Sequence, residues 1–277
     1  PVRVLETIQR ERVTILIGPP IAYKAMMRVS RFNTYRLASL LICATGSAPC
    51  PPELAREIQQ KFRCAVHIGF GMTELGGGIA AASLADSSSR QAETVGQPMP
   101  GVEIKIVDDV GHTLPPGQVG ELVCRSDGLM LGYFGASQRH DASADEQRWL
   151  HRGDLAIRDI RIIGRKKDVI IRGGQNIYPI RIEHHLERMP GIREAAVVGI
   201  PDALGEESVC AFVILEDGGH LTEQAIVAHC RAALEPYEIP QRVRIVDDFP
   251  RSSAGKPQKF RLREMALEEL EAYETQF

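Results

Sequence analysis

Five short stretches of this 277-residue chain carry side chains able to act on a phosphate, a sugar or a carboxylate. In Gly69-Phe70-Gly71-Met72-Thr73-Glu74 an aromatic sits between two glycines, followed by a hydroxyl and a carboxylate. Without Cβ atoms, Gly69 and Gly71 let a flat ring approach the backbone, and Phe70 can stack on a purine. Thr73 offers a hydroxyl to a phosphate oxygen, and Glu74 is a hard oxygen ligand suited to Mg2+. Thr45-Gly46-Ser47-Ala48 is a second run of small residues at the end of an apolar stretch. Gly153-Asp154 places a carboxylate on what reads as a tight turn, where it can accept both hydrogens of a cis-diol such as ribose. Lys256 lies on a glycine-flanked loop and can carry a point charge between a carboxylate and a phosphate. The fifth stretch, Gly164 to Pro179, runs from charged residues through β-branched ones to the pair Gly173-Gly174.

Each stretch also has a plainer reading: a glycine turn with a capping Thr73, a turn aspartate at 154, a solvated basic loop around Lys256. Two specific alternatives fail outright. A dinucleotide fingerprint beginning at Gly69 needs glycine at 74, where Glu74 stands. His184 and His185 are adjacent, so on a helix they point about 100° apart and cannot chelate one metal together.

The elements that must position these residues follow from periodicity. Val4, Leu5 and Ile8 through Arg12 predict an amphipathic helix, Val13 to Ile17 a buried strand, and Gly18-Pro19-Pro20 a turn into a helix ending at Met27. Leu40 to Ala44 predicts a strand, Pro51-Pro52 opens a helix through Phe62, and Ala65 to Ile68 predicts a third strand ending at Gly69. Strand, helix and strand joined by short loops imply a parallel sheet covered by helices, with ligands at the carboxyl ends of its strands. The run Gly76-Gly77-Gly78 and Ala80-Ala81-Ala82 fits either a pocket wall or a mobile loop, and Asp86 to Arg90 reads as a flexible polar segment. From Val95 to Phe134, short strands separated by Gly and Pro predict a small antiparallel subdomain whose role is mostly packing.

Gly164 to Asp168 is a charged joint that reads as a domain boundary. Beyond it, a helix from Pro179 to Met189, strands at 192–200 and 209–215, a helix at 222–234 and a strand at 243–246 predict a separate α+β domain. The expected class is therefore α/β with an antiparallel β subdomain and an α+β C-terminal domain, divided as 1–164 (β subdomain about 93–164) and 165–277.

Composition excludes other classes. A net charge of −3 and 25% charged residues argue against a nucleic-acid or membrane-surface role, and no apolar run approaches the ~18 residues of a membrane span. Six cysteines without CxxC spacing read as reduced thiols in a cytoplasmic protein. The start at Pro1-Val2-Arg3, with no Met and no leader-like stretch, reads as a chain cut within a longer one.

The chain resembles the adenylate-forming enzymes, the superfamily of acyl- and aryl-CoA ligases, peptide-synthetase adenylation domains and luciferases. Gly164-Arg165-Lys166-Lys167-Asp168 resembles that family's linker, Gly69 to Glu74 its Y-G-x-T-E motif with Phe70 for Tyr, and Trp149 to Asp154 its W-x-x-T-G-D with Arg152 for Thr. Pro250 to Lys259 resembles its lysine loop, and Glu183 matches the last Glu of its E-I-E while Arg181 replaces the first. The family's D-x-x-G-y turn between Asp154 and the linker is missing where Arg158-Asp159-Ile160 runs straight through: either the hairpin is shortened or, the favoured reading, a turn that begins at Asp159 is absent from the chain. The family's upstream phosphate loop is also not present. Four motifs in the family's order make the plainer readings less apt.

The resemblance implies ATP, Mg2+ and coenzyme A as cofactors and a small carboxylic acid as substrate. It implies Lys256, Thr73 and Glu74 as catalytic residues, with Glu74 on the metal. Gly46, Ser47, Ala48, Gly69, Phe70, Gly71, Met72, Asp154 and Arg165 would bind the nucleotide, and Gly173 and Gly174 would border the pantetheine. Lys167 would be the hinge about which the small domain turns. A carrier protein is the alternative thiol donor, a missing N-terminal part of the same enzyme is the implied partner, and a non-catalytic nucleotide-binding remnant is the reading from another class.

Overall fold

The computed structural model describes residues 1–83, 85–133, 144–157, 160–202, 206–252 and 255–274. The expectations placed on Phe134, Arg158, Asp159, Ser253 and Ala254 lie outside them. The chain divides into two compact units, Pro1–Ile162 and Ile163–Phe277.

The first unit begins with α1 (Val2–Glu11), β1 (Ile15–Gly18), α2 (Pro20–Met27), β2 (Ile42–Thr45), α3 (Pro52–Phe62) and β3 (Ala65–Met72). Proline within the first turn sets the helical φ of α2 and α3 without losing a needed donor. Leu54, Ala55, Ile58 and Phe62 then fall on one buried face of α3. Phe62 packs edge-on against Tyr23 and Phe32, with ring centroids 5.8 and 5.1 Å away. The Tyr23 hydroxyl lies 2.8 Å from the carbonyls of both Leu16 and Ala44, tying α2 to β1 and β2.

Strands β1, β2 and β3 pair in parallel, as expected. Three expectations need correction. The Val13–Ile17 strand is not buried: one face packs on the helices, while Ile15 and Ile17 are 52% and 79% exposed. β3 does not end at Gly69; it continues to Met72 and pairs antiparallel with β4 (Gly77–Ala81), which makes the sheet mixed. The glycine and alanine run at 76–82 is therefore largely a strand, with β5 (Gln97–Pro98) completing the order β1-β2-β3-β4-β5. Glycine is required at 71 because a Cβ would collide with the Gly77 carbonyl. The Asp86–Arg90 segment is also ordered: Ser87 accepts from the Arg90 amide and caps α4 (Ser88–Glu93).

β6 (Val102–Val107), β7 (Gly120–Ser126), β8 (Leu150–Ile157) and β9 (Arg161–Arg165) form a sheet in that order, antiparallel from β6 to β8. The boundary between the units falls inside β9.

In the second unit a hairpin of β10 (Ile170–Arg172) and β11 (Gln175–Ile177) precedes α5 (Pro179–Glu187). β12 (Ile192–Pro201), β13 (Glu207–Leu215), α6 (Glu223–Arg231), β14 (Arg242–Ile245) and α7 (Lys259–Glu274) follow. Strand alternation fills both faces of the β12-β13-β14 sheet. Val209, Ala211 and Val213 join Ile182, Leu186 and Ile226 of α5 and α6, while Cys210, Phe212 and Ile214 join Leu262 and Ala266 of α7. α7 is not among the predicted elements; its first turns are built on the Leu262 and Ala266 spacing. No helix of the described residues is long and apolar enough to cross a membrane.

Candidate nucleotide and phosphate site

Parallel pairing sets Thr45 of β2 beside Ile68 of β3, so the two small-residue runs that follow come together. A Cβ on Gly46 would lie 2.8 Å from the Gly69 carbonyl, so this close approach needs glycine at 46. Ser47 is held at φ 65°, a left-handed conformation that costs a non-glycine residue energy. Phe70 is half-buried against the core, whereas Thr73 is exposed on the short 3-10 turn Thr73–Leu75.

Glu74 is only 9% exposed and makes contacts that sequence reading did not anticipate. The Tyr133 hydroxyl donates to Glu74 Oε1 at 2.6 Å, and Arg152 Nη2 lies 2.6 Å from the same oxygen. Arg152 Nη2 also donates to the Tyr133 hydroxyl at 3.2 Å. The Met130 amide donates to the Glu74 carbonyl at 2.8 Å, bringing the loop after β7 over the turn. The hydrogen bond to Glu74, above all, raises the Tyr133 pKa from its ordinary value. Tyr133 lies in the Val95–Phe134 segment, whose expected role is mostly packing, and its hydroxyl corrects that expectation.

These contacts bear on the metal the family implies. A carboxylate already matched by a guanidinium at 2.6 Å has little charge left for a hard divalent ion, which would also face the Arg152 cation. As built, Glu74 does not suit magnesium.

Asp154 lies within β8, not on a tight turn. Gly153, at φ 71°, forms an irregularity where the β7–β8 register shifts, and its amide donates to Glu121 Oε1 at 3.0 Å. A bulge of this kind re-aims side chains along a strand. Asp154 is 6% exposed. Burial first, and then the Asp154 charge, push the Cys124 thiol up to about 12. The six cysteines are free thiols.

The other predicted residues belong to the second unit. Arg165 ends β9, and Lys167 lies in the exposed 3-10 turn Lys166–Asp168. Gly173 and Gly174 form the two-residue turn of the β10–β11 hairpin at φ 55° and 72°, where both positions need a positive φ. Among the described residues, chain neighbours aside, no atom lies within 4 Å of a Cβ added at either glycine, so backbone conformation accounts for the pair. Glu206 and Glu207 hold the hairpin by accepting from the amides of Gly173 and Ile171 at 2.8 and 3.0 Å.

Lys256 is exposed on a turn closed by the Ser252 amide donating to the Lys256 carbonyl at 2.9 Å. Arg251 anchors that turn. It pairs with Glu194 at 2.7 Å and Asp248 at 2.8 Å, and donates to the Gly255 carbonyl at 3.1 Å. The Glu194 hydrogen bonds raise the Arg251 pKa further above its ordinary value. Lys259 meets Glu183 at 2.6 Å, while Glu183 also accepts from the Val197 amide at 2.8 Å. Arg251 was visible in the Pro-Arg motif, but only its distant partners reveal what it does.

The first unit thus combines a mixed sheet carrying small-residue runs near its strand ends with an antiparallel sheet, and the second is a small α+β unit carrying a lysine turn. The chain belongs to the AMP-binding enzyme family: residues 1–134 match the family's main domain and residues 181–256 its C-terminal domain. It is 35% identical over 268 residues to the human medium-chain acyl-CoA ligase ACSF2, mitochondrial, covering 95% of this chain and 44% of that one. The amide bond synthetase McbA from Marinactinospora thermotolerans superposes with a TM-score of 0.87 at 34% identity, covering 96% of this chain and 54% of McbA. The anthranilate CoA ligase AuaEII in complex with anthranoyl-AMP gives 0.86 at 29% identity, covering 96% and 52%. The chain spans about half the length of the curated relatives it matches.

Proposed function

We propose that this chain is the C-terminal portion of an acyl- or aryl-CoA ligase that activates a carboxylic acid through an acyl-adenylate. The observation that carries the reading is Lys256 on its Arg251-anchored turn, in a chain that matches both domains of the AMP-binding family in order. In the first half-reaction a substrate carboxylate oxygen attacks the α-phosphorus of ATP, forming the acyl–phosphate bond and releasing pyrophosphate. The Lys256 ammonium offsets charge gathering on the phosphoryl oxygens, and Thr73 donates to one of them. Adenine lies against Gly46, Ser47, Ala48, Gly69, Phe70, Gly71 and Met72, and the ribose diol is taken by Asp154 and Arg165. In the second half-reaction the coenzyme A thiolate attacks the acyl carbonyl carbon and AMP leaves. Lys167 is the pivot that withdraws Lys256 and presents Gly173 and Gly174 to the pantetheine. The free thiols suit the cytoplasm or another reducing compartment.

Lys256→Ala in the intact enzyme tests this. Acid-dependent pyrophosphate exchange should fall by about 100-fold or more, the scale of losing one preorganised electrostatic contact. Thioester formation from supplied acyl-AMP should persist. Equal loss of both half-reactions would remove Lys256 from this role. Likeness to an amide bond synthetase supports a second reading, in which an amine accepts the acyl group. Product analysis with coenzyme A, a phosphopantetheinylated carrier protein and an amine offered in turn separates these acceptors.

A further inference from the structure

Arg152 stands where the resembling family sets a threonine, and the structure gives it a defined support. Residues from three places in the first unit converge: Glu74 from the turn after β3, Tyr133 from the loop after β7, and Arg152 from β8. Arg152 Nη2 lies 2.6 Å from Glu74 Oε1 and 3.2 Å from the Tyr133 hydroxyl, and Tyr133 itself holds Glu74 at 2.6 Å. The Glu74 side chain is 12% exposed and the Arg152 side chain 35%, so the carboxylate is the buried anchor and the guanidinium the exposed end. A guanidinium has five N–H donors in a rigid plane, a geometry that matches two oxygens of a phosphate. Gly153, next in sequence, takes φ 71° and separates Arg152 from the buried Asp154, the candidate ribose acceptor. One strand irregularity thus carries the candidate sugar contact and the candidate phosphate contact on either side of Gly153.

We infer that Arg152 binds the α-phosphate of the nucleotide, and that Glu74 and Tyr133 position it, so that Glu74 serves the guanidinium and not a metal ion. This rests on the adenylate-forming reading, because the anion is the phosphate of AMP. A threonine at this position could offer one neutral hydroxyl; Arg152 offers the guanidinium N–H donors not spent on Glu74 and Tyr133, in a plane that those two residues fix. Glu74 keeps a role in the site, but as a positioning residue.

Calorimetric binding of AMP and of adenosine to the intact protein, both in excess EDTA, tests the inference. Wild type should prefer AMP. Arg152→Thr should weaken AMP by about 10- to 100-fold, the equivalent of one or two charge-assisted hydrogen bonds, with adenosine changed less than about twofold. Glu74→Gln should weaken AMP in the same direction without any metal present. Arg152→Gln replaces Arg152→Thr if the latter loses adenosine binding through misfolding. An unchanged AMP-to-adenosine ratio in the folded Arg152 variant would overturn the inference. So would a Glu74→Gln defect seen only as a higher magnesium requirement in pyrophosphate exchange. Failure of wild type to bind either nucleotide would instead count against the adenylate-forming reading itself.

Discussion

The β1–β5 sheet and the β12-β13-β14 sheet are covered differently. In the second unit, helices pack on both faces of β12-β13-β14, and every residue from Val209 to Ile214 is buried. In the first unit, α1, α2 and α3 cover one face of β1 and β2, while Ile15, Ile17 and Leu41 remain 52%, 79% and 64% exposed. The sequences look alike, since Ile15-Leu16-Ile17 is as apolar as Val209 to Ile214. An apolar run therefore reports that a strand is suited to burial, not that this chain supplies both covers. The β12-β13-β14 sheet is covered on both faces; the β1–β5 sheet presents an apolar face at β1, next to the strands that carry the small-residue runs.

The largest expected effect sharpens this contrast. Phe212→Ala empties a fully enclosed position between β13 and α7, and should lower stability by about 3–5 kcal/mol in urea unfolding. A loss below about 1 kcal/mol would mean that α7 does not seal that face.

A smaller effect concerns the helix-covered side of the same sheet. The rings of His185 and His229 stack at 4.3 Å, and each Nε2 faces the other's backbone carbonyl, at 3.1 and 3.4 Å. Burial lowers the His185 pKa below 6.5; the hydrogen bond to the His229 carbonyl works against it, and the charges of His229 and Arg188 add to the lowering. The folded state binds this proton less readily than the unfolded chain, so the stability contribution is present above about pH 6.5 and is lost as pH falls below it. The urea midpoint should drop between pH 7 and pH 5, and His185→Gln should flatten that slope. A slope unchanged in the variant would assign it to other groups.

The smallest effect is expected on the open face. Ile17→Ser should change the stability of this chain by less than about 0.5 kcal/mol while reducing its self-association in light scattering. A loss comparable to that of Phe212→Ala would show that Ile17 is covered in solution.

Much of this was legible in the sequence because short-range rules govern it. The 3.6-residue spacing of Leu54, Ile58 and Phe62 gave α3, and the small residues after Ala44 located the end of β2. Gly173-Gly174 signalled a turn that only glycine takes easily. What failed was long-range. Nothing local shows that β3 runs past Gly69, because the strand is extended by pairing with β4, across the turn. Asp154 reads as a turn residue until β7 lies beside it and the register shift at Gly153 becomes a bulge.

The sequence by itself determined the family, the order of the motifs and the residue types that could meet a nucleotide, since these depend on identity and spacing along the chain. Only the tertiary structure decided what those residues touch. Glu74 and Arg152 are 78 positions apart, yet their side chains meet at 2.6 Å. Arg251 finds Glu194 across 57 positions. A carboxylate's chemistry is set by the charge beside it, and which charge that is depends on how β3, β7 and β8 are brought together.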